Sequence, residues 1–165
     1  MRTNTHLFLV KFHEDIATAH KKINGFFRFN MAEILGQFRS GIETPALLLE
    51  SHSSEIDENQ NKTVHFNNKA ISFMLLDFTG KADNYRKQEE VLDELENVGL
   101  DILTYLKKST NDRNSFLFGK FDAATFRMEK VGPIFDNMYG WNILYQLKNH
   151  EPLTYEPDKW DWENV

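Results

Sequence analysis

Residues 63–78, TVHFNNKAISFMLLDF, and residues 83–108, DNYRKQEEVLDELENVGLDILTYLKK, decide the fold. In the first stretch Val64 and Phe66 alternate with polar neighbours. Further on, Ile71, Phe73 and Leu75 take one face while Met74, Leu76 and Phe78 take the other. A period of two with apolar side chains on both faces predicts a central strand covered on both sides, with Asn67-Asn68 free to turn or bulge. In the second stretch Tyr85, Leu92, Leu95, Val98, Ile102 and Leu106 form an apolar stripe, which predicts an amphipathic helix. Acids dominate its first half and Lys107-Lys108 close it, as the helix dipole favours. At 1.5 Å per residue such a helix is roughly 39 Å long, enough to cross a whole sheet.

Toward the N-terminus, Thr5 caps a segment in which Phe8, Phe12, Ile16 and Ala19 recur at helical spacing, with His13, Glu14 and Lys21 elsewhere on the wheel. Asn24-Gly25 is read as its end. Phe26-Phe27-Arg28-Phe29 is too short to classify by period. Asn30 followed by Glu33 has capping-box spacing and predicts a short helix over residues 31–40, burying Ile34, Leu35 and Phe38. Pro45 opens the apolar run Ala46-Leu47-Leu48-Leu49, a buried strand. Residues 51–62 read as a polar hairpin loop or a frayed edge.

Toward the C-terminus, two or three strands are expected, at 115–121, 125–131 and 140–148, with Gly132-Pro133 interrupting the ladder because proline has no donor. The sum is an α+β fold: a mostly antiparallel sheet, one long central helix, and N-terminal helices packed on it. Residues 1–148 form one domain. Residues 149–165 form an extended tail with five acids, one lysine, Leu153, Tyr155, Trp160 and Trp162. Two prolines keep it from being helical.

The chain has 165 residues, with 41% apolar, 27% charged and 13% aromatic side chains, which is a globular composition. Having no cysteine, it can build neither a disulfide scaffold nor a thiolate site. A net charge of −6 argues against a broadly polyanion-binding surface. The charge is uneven: residues 1–40 carry +3 and the remainder −9, so the basic third is a candidate contact region. No apolar run reaches the length of a membrane span and no signal peptide is evident, so a cytoplasmic domain is expected.

No motif in the sequence carries recognisable chemistry. The glycines have no phosphate-binding spacing. His13 and His20 lie about 10 Å apart along one helix, too far to share an ion. His52 and His65 sit on neighbouring strands and could meet near Glu50 or Glu55, but without the spacing of a known metal site. The serines around His52 lack the glycines of a nucleophile elbow. Neither a catalytic residue, a cofactor, a metal nor a small-molecule substrate is therefore assigned. Lys21-Lys22 and Arg28, interleaved with Phe26, Phe27 and Phe29, could stack nucleobases. A packed aromatic connector is the preferred reading, so nucleic acid is not an expected partner. The candidate interface residues are Lys21, Lys22 and Arg28 in the basic third and Tyr155, Trp160 and Trp162 in the tail, since aromatic anchors mark interface hot spots.

Phe27-Arg28-Phe29-Asn30 with Glu33-Ile34-Leu35, Arg39-Ser40-Gly41, the Pro45 strand and Asp136-Asn137-Met138-Tyr139-Gly140-Trp141 resemble segments of small proteins from Bacteroidetes prophage and injection-system regions. The element order is similar to the tail-terminator, or tail-completion, proteins of long-tailed phages. That resemblance implies a non-enzymatic structural subunit that forms a ring, with other copies of itself and tail or tube proteins as partners, and assembly into a phage or phage-like particle. A stand-alone adaptor or binding domain is the alternative. An enzyme with a histidine or carboxylate site comes third.

Overall fold

The computed structural model describes residues 5–29, 43–135 and 137–162. The strand expected at 63–78 is the axis of the molecule: β4, His65–Phe78, fourteen residues long. Along one edge it pairs antiparallel with β6, Met138–His150, from Phe66↔His150 to Phe78↔Met138. Along the other edge lie, in succession, β2 (Ala46–Glu50) and β3 (Ser53–Glu58), both antiparallel to it. β1, Gly25–Phe29, adds parallel to β2, and β5, Arg127–Ile134, adds antiparallel to β6. The six-stranded sheet thus runs β1-β2-β4-β6-β5 with β3 continuing the line of β2. It is mostly antiparallel, and with the two helices found among the described residues the fold is α+β.

Both helices cover one face. Ile71, Phe73 and Leu75 of β4 and Ile143, Tyr145 and Leu147 of β6 form the core there with α1, His6–Ala19, and α2, Tyr85–Asn111. On the opposite face Met74 and Leu76 join Ala46 and Leu48, flanked by Phe27, Val131, Ile134 and Met138. Phe78, assigned by the sequence to that face, is half exposed at the end of the strand. At Gly140 the strands approach so closely that a Cβ would collide with the Leu75 carbonyl oxygen. Asn67 and Asn68 stay in continuous register with β3 and β6, without a bulge.

In α2 the Asn84 side chain caps the start by accepting from the Lys87 N–H at 3.2 Å. Leu92, Leu95, Val98, Ile102 and Leu106 are buried as the stripe predicts, together with Val91. Tyr85 is the exception, 72% exposed. It has the right phase, but Gln88 is the buried side chain at this end, its amide donating to the Ala82 carbonyl at 2.9 Å. The Trp141 indole N–H donates to the Leu92 carbonyl at 2.9 Å and ties the helix to β6.

Four other expectations are corrected. The buried stripe of α1 is Leu9, Phe12, His13, Ile16 and Ala17, rotated from the expected one, so Phe8 and Ala19 are exposed. The rotation turns His13 inward. The helix ends at Ala19, five residues before Asn24-Gly25, and Gly25 begins β1 against Ala46. Residues 51–62 contain the edge strand β3, exposed along its whole length. Residues 115–121 are turns, not a strand: Gly119 N–H and Phe121 N–H bond to Thr110, and only Phe121 forms an isolated bridge, with Leu147. The apolar residues there serve the core, with Leu117 and Phe121 plugging it at the end of α2.

Gly132-Pro133 lies within β5 as a register shift between Val131 and Ile134. β6 runs past residue 148 to His150. The helix expected at 31–40 lies outside the described residues, as do Asn30 and Asp136 of the resemblance motifs.

Candidate functional site

α1 and α2 run over the same sheet face, and between them opens a cleft of about 330 Å³. Its walls are Ile16 and Ala19 from α1 and Ile102 and Tyr105 from α2. Asp15, His20 and Asp101 complete the lining. Ile16 and Ile102 reach it from the buried stripes, and the i, i+3 spacing places Ala19 and Tyr105 beside them at the rim. The Phe12 ring packs on Tyr105, 6.3 Å between centroids, and also meets Phe116 edge-on at 4.8 Å. Tyr105 is half exposed, with one ring face held by this stack.

The polar groups of the cleft are partly engaged. His20 Nδ1 accepts from the Lys22 N–H at 3.3 Å, which leaves Nε2 as the protonated nitrogen facing Asp101 Oδ2 at 3.4 Å. Lys11 holds Asp15 at 2.9 Å and Glu14 at 3.0 Å. That double contact raises the lysine's pKa, the hydrogen bond that Lys11 donates to Asp15 being the larger cause.

A second polar neighbourhood lies beneath the first half of α1. His13 is fully buried. Its Nδ1 lies 2.7 Å from the Leu9 carbonyl and its Nε2 lies 2.8 Å from the Tyr145 hydroxyl. Burial lowers the His13 pKa to about 4 and pushes the Tyr145 pKa far up. Toward the helix start, His6 stacks on His52 with 5.2 Å between centroids. Burial lowers the basicity of His52, and Lys69 adds to the effect. His65 is beside Glu58 at 3.2 Å instead of meeting His52. Among the described residues no three of these side chains converge as metal ligands do.

The predicted interface residues divide into two sets. Lys21 is exposed, Lys22 reaches across to α2 and pairs with Glu94 at 3.1 Å, and Arg28 is exposed on β1. The tail aromatics come together. Trp160 and Trp162 stack nearly parallel, 5.4 Å between centroids and 4° between planes. Tyr155 stacks on Trp160 at 6.2 Å, and its hydroxyl accepts from the Trp162 indole N–H at 3.2 Å. A single 3-10 turn, Pro157–Lys159, bends the chain so that these rings meet, with Lys159 paired to Glu156 at 2.7 Å. The three rings remain 54–62% exposed.

Sequence reasoning missed Tyr105, Asp101, His20 and Asp15 as one group. Their only shared signal is helical phase on two segments about eighty residues apart. No family model, curated protein or solved structure gave a match to this chain.

Proposed function

We propose that this chain works through protein–protein contacts, as a structural subunit of the phage-tail or phage-like type that its sequence resembles. The observation that carries the reading is the aromatic strap: Tyr155, Trp160 and Trp162 stacked on one another and more than half exposed. A chain gains free energy by burying aromatic rings, so three held together in water form a ready-made hot spot for a partner surface. Leu153, half exposed in the same segment, extends it. Other copies of the chain and tail or tube proteins are the partners this reading names, and it assigns the protein no turnover.

The test is a chain ending at Glu151, which keeps β6 intact. Light scattering of the full chain should show assembly, alone or on a tail-tube protein, and the shortened chain should lose it with its melting temperature unchanged. Assembly that persists without the strap would strike the reading. A stand-alone binding domain is the second reading, and the α1–α2 cleft favours it, since an apolar hollow with a few convergent polar groups is the usual form of a ligand site.

A further inference from the structure

We propose that the α1–α2 cleft receives an arginine side chain presented by a partner protein. Ile16, Ala19 and Ile102 take its methylenes, the Tyr105 ring takes the face of its guanidinium, and Asp101 and Asp15 take its charge. The assignment rests on the protein-contact reading above and names the chemistry of one partner.

The cleft combines three demands that few other groups satisfy together. Its floor is apolar, which favours an aliphatic stem. Its aromatic wall is half exposed yet fixed by Phe12, and a planar cation stacks on such a face better than an ammonium does. Its formal charges are both negative, so an anionic or acidic segment is repelled and a cation is drawn in.

The carboxylates are also available. With His20 Nδ1 occupied as an acceptor, the ring meets Asp101 as a neutral N–H donor to Oδ2, leaving the charge uncompensated and Oδ1 open to a fork of guanidinium donors. Lys11 bridges two carboxylates and can keep Glu14 when a guest takes Asp15. The acidic tail of a second copy does not fit this rim, which separates the cleft from the strap as an independent contact.

The experiment is a methyl and amide NMR titration of the full chain with Nα-acetyl-arginine-N-methylamide, using the citrulline analogue as the uncharged isostere. The expected result is saturable shifts at Ile16, Ala19 and Ile102, with the citrulline probe about tenfold weaker. Asp101→Asn and Tyr105→Leu should each weaken the arginine probe about fivefold, and Tyr105→Phe, which keeps the ring, should not. Asp101 is exposed and Tyr105 is about half exposed, so the variants keep the fold. An absence of shifts at these methyls, equal binding of citrulline, or an Asp101→Asn chain that binds as before would each overturn the assignment. If the probe fails to bind while assembly still needs the strap, the cleft assignment alone falls. If the probe binds while strap removal leaves assembly intact, the cleft assignment stands and the strap reading falls.

Discussion

The Tyr145 hydroxyl and His13 Nε2 lie 2.8 Å apart beneath α1, and the direction of that hydrogen bond is determined. A carbonyl only accepts, so the 2.7 Å contact to Leu9 puts the imidazole proton on Nδ1. Nε2 is then the acceptor and the Tyr145 O–H donates. A neutral imidazole between two partners is fully satisfied, which is why a histidine can occupy the core stripe of α1.

Acid should therefore weaken the fold through His13. Its pKa is lowered from 6.5 to about 4 by burial, so between those values the unfolded chain binds a proton that the folded chain does not. There is no loss above pH 6.5; stability falls as pH drops below that, and the loss amounts to about 3 kcal/mol by pH 4. Denaturant unfolding of the parent and of His13→Gln across this range measures it. If both lose stability with the same slope, His13 is not the titrating group.

Tyr145→Phe tests the other end of the bond. The ring and its burial stay, but Nε2 loses its donor in a dry site, which should cost ~1–3 kcal/mol. A midpoint equal to that of the parent would mean that water or another donor reaches His13.

On α2, Leu95→Ala should cost ~2–5 kcal/mol by lost burial and a residual cavity, whereas Asp93→Ala and Tyr85→Ala, both exposed, should stay within ~0.5 kcal/mol. Urea midpoints decide this. Comparable losses at Leu95 and Tyr85 would show that the first turn is packed after all.

Gly140→Ala should be more damaging than its one added methyl suggests. The new Cβ meets the backbone oxygen of Leu75, which no rotamer change can move, so β4 and β6 must separate locally. A loss of about 3 kcal/mol is expected, at the upper end of ordinary overpacking. A stable variant with unchanged β4–β6 cross-strand contacts in NMR would contradict this packing.

The stacked Trp160 and Trp162 should give a coupled indole band in near-ultraviolet circular dichroism. Trp162→Ala should abolish the band and leave stability within ~0.5 kcal/mol, because the rings cover little of the domain. Loss of the band together with a lower melting temperature would show that the strap braces its own domain.

The sequence by itself determined the elements whose periodicity is long and unbroken. The two-sided apolar alternation from Ile71 to Phe78 marked a central strand, and the structure carries it back through Asn67-Asn68 to His65 without a bulge. The stripe from Leu92 to Leu106 could only be a helix on that sheet, because each pattern buries its apolar side chains in one geometry alone. The prolines at 152 and 157 likewise kept the tail out of regular helix.

Tertiary structure decided what depends on residues far apart. α1 is turned so that His13 faces inward, because its partner is Tyr145, 132 residues away, and local hydrophobicity scores histidine as a surface residue. Residues 115–121 read as a strand, yet their N–H groups bond within the turn, to Asp112 and, from Gly119 and Phe121, to Thr110 at the end of α2. β3 is a strand because β4 extends past β2 and offers it an edge, not because SSEIDE has a strand's composition. The cleft exists because two helices separated by a whole β-unit lie side by side on one face, bringing Asp15, His20, Asp101 and Tyr105 together. Periodicity is a property of neighbours in the chain, whereas a site is made by contacts across it, and those are set only when the sheet order is complete.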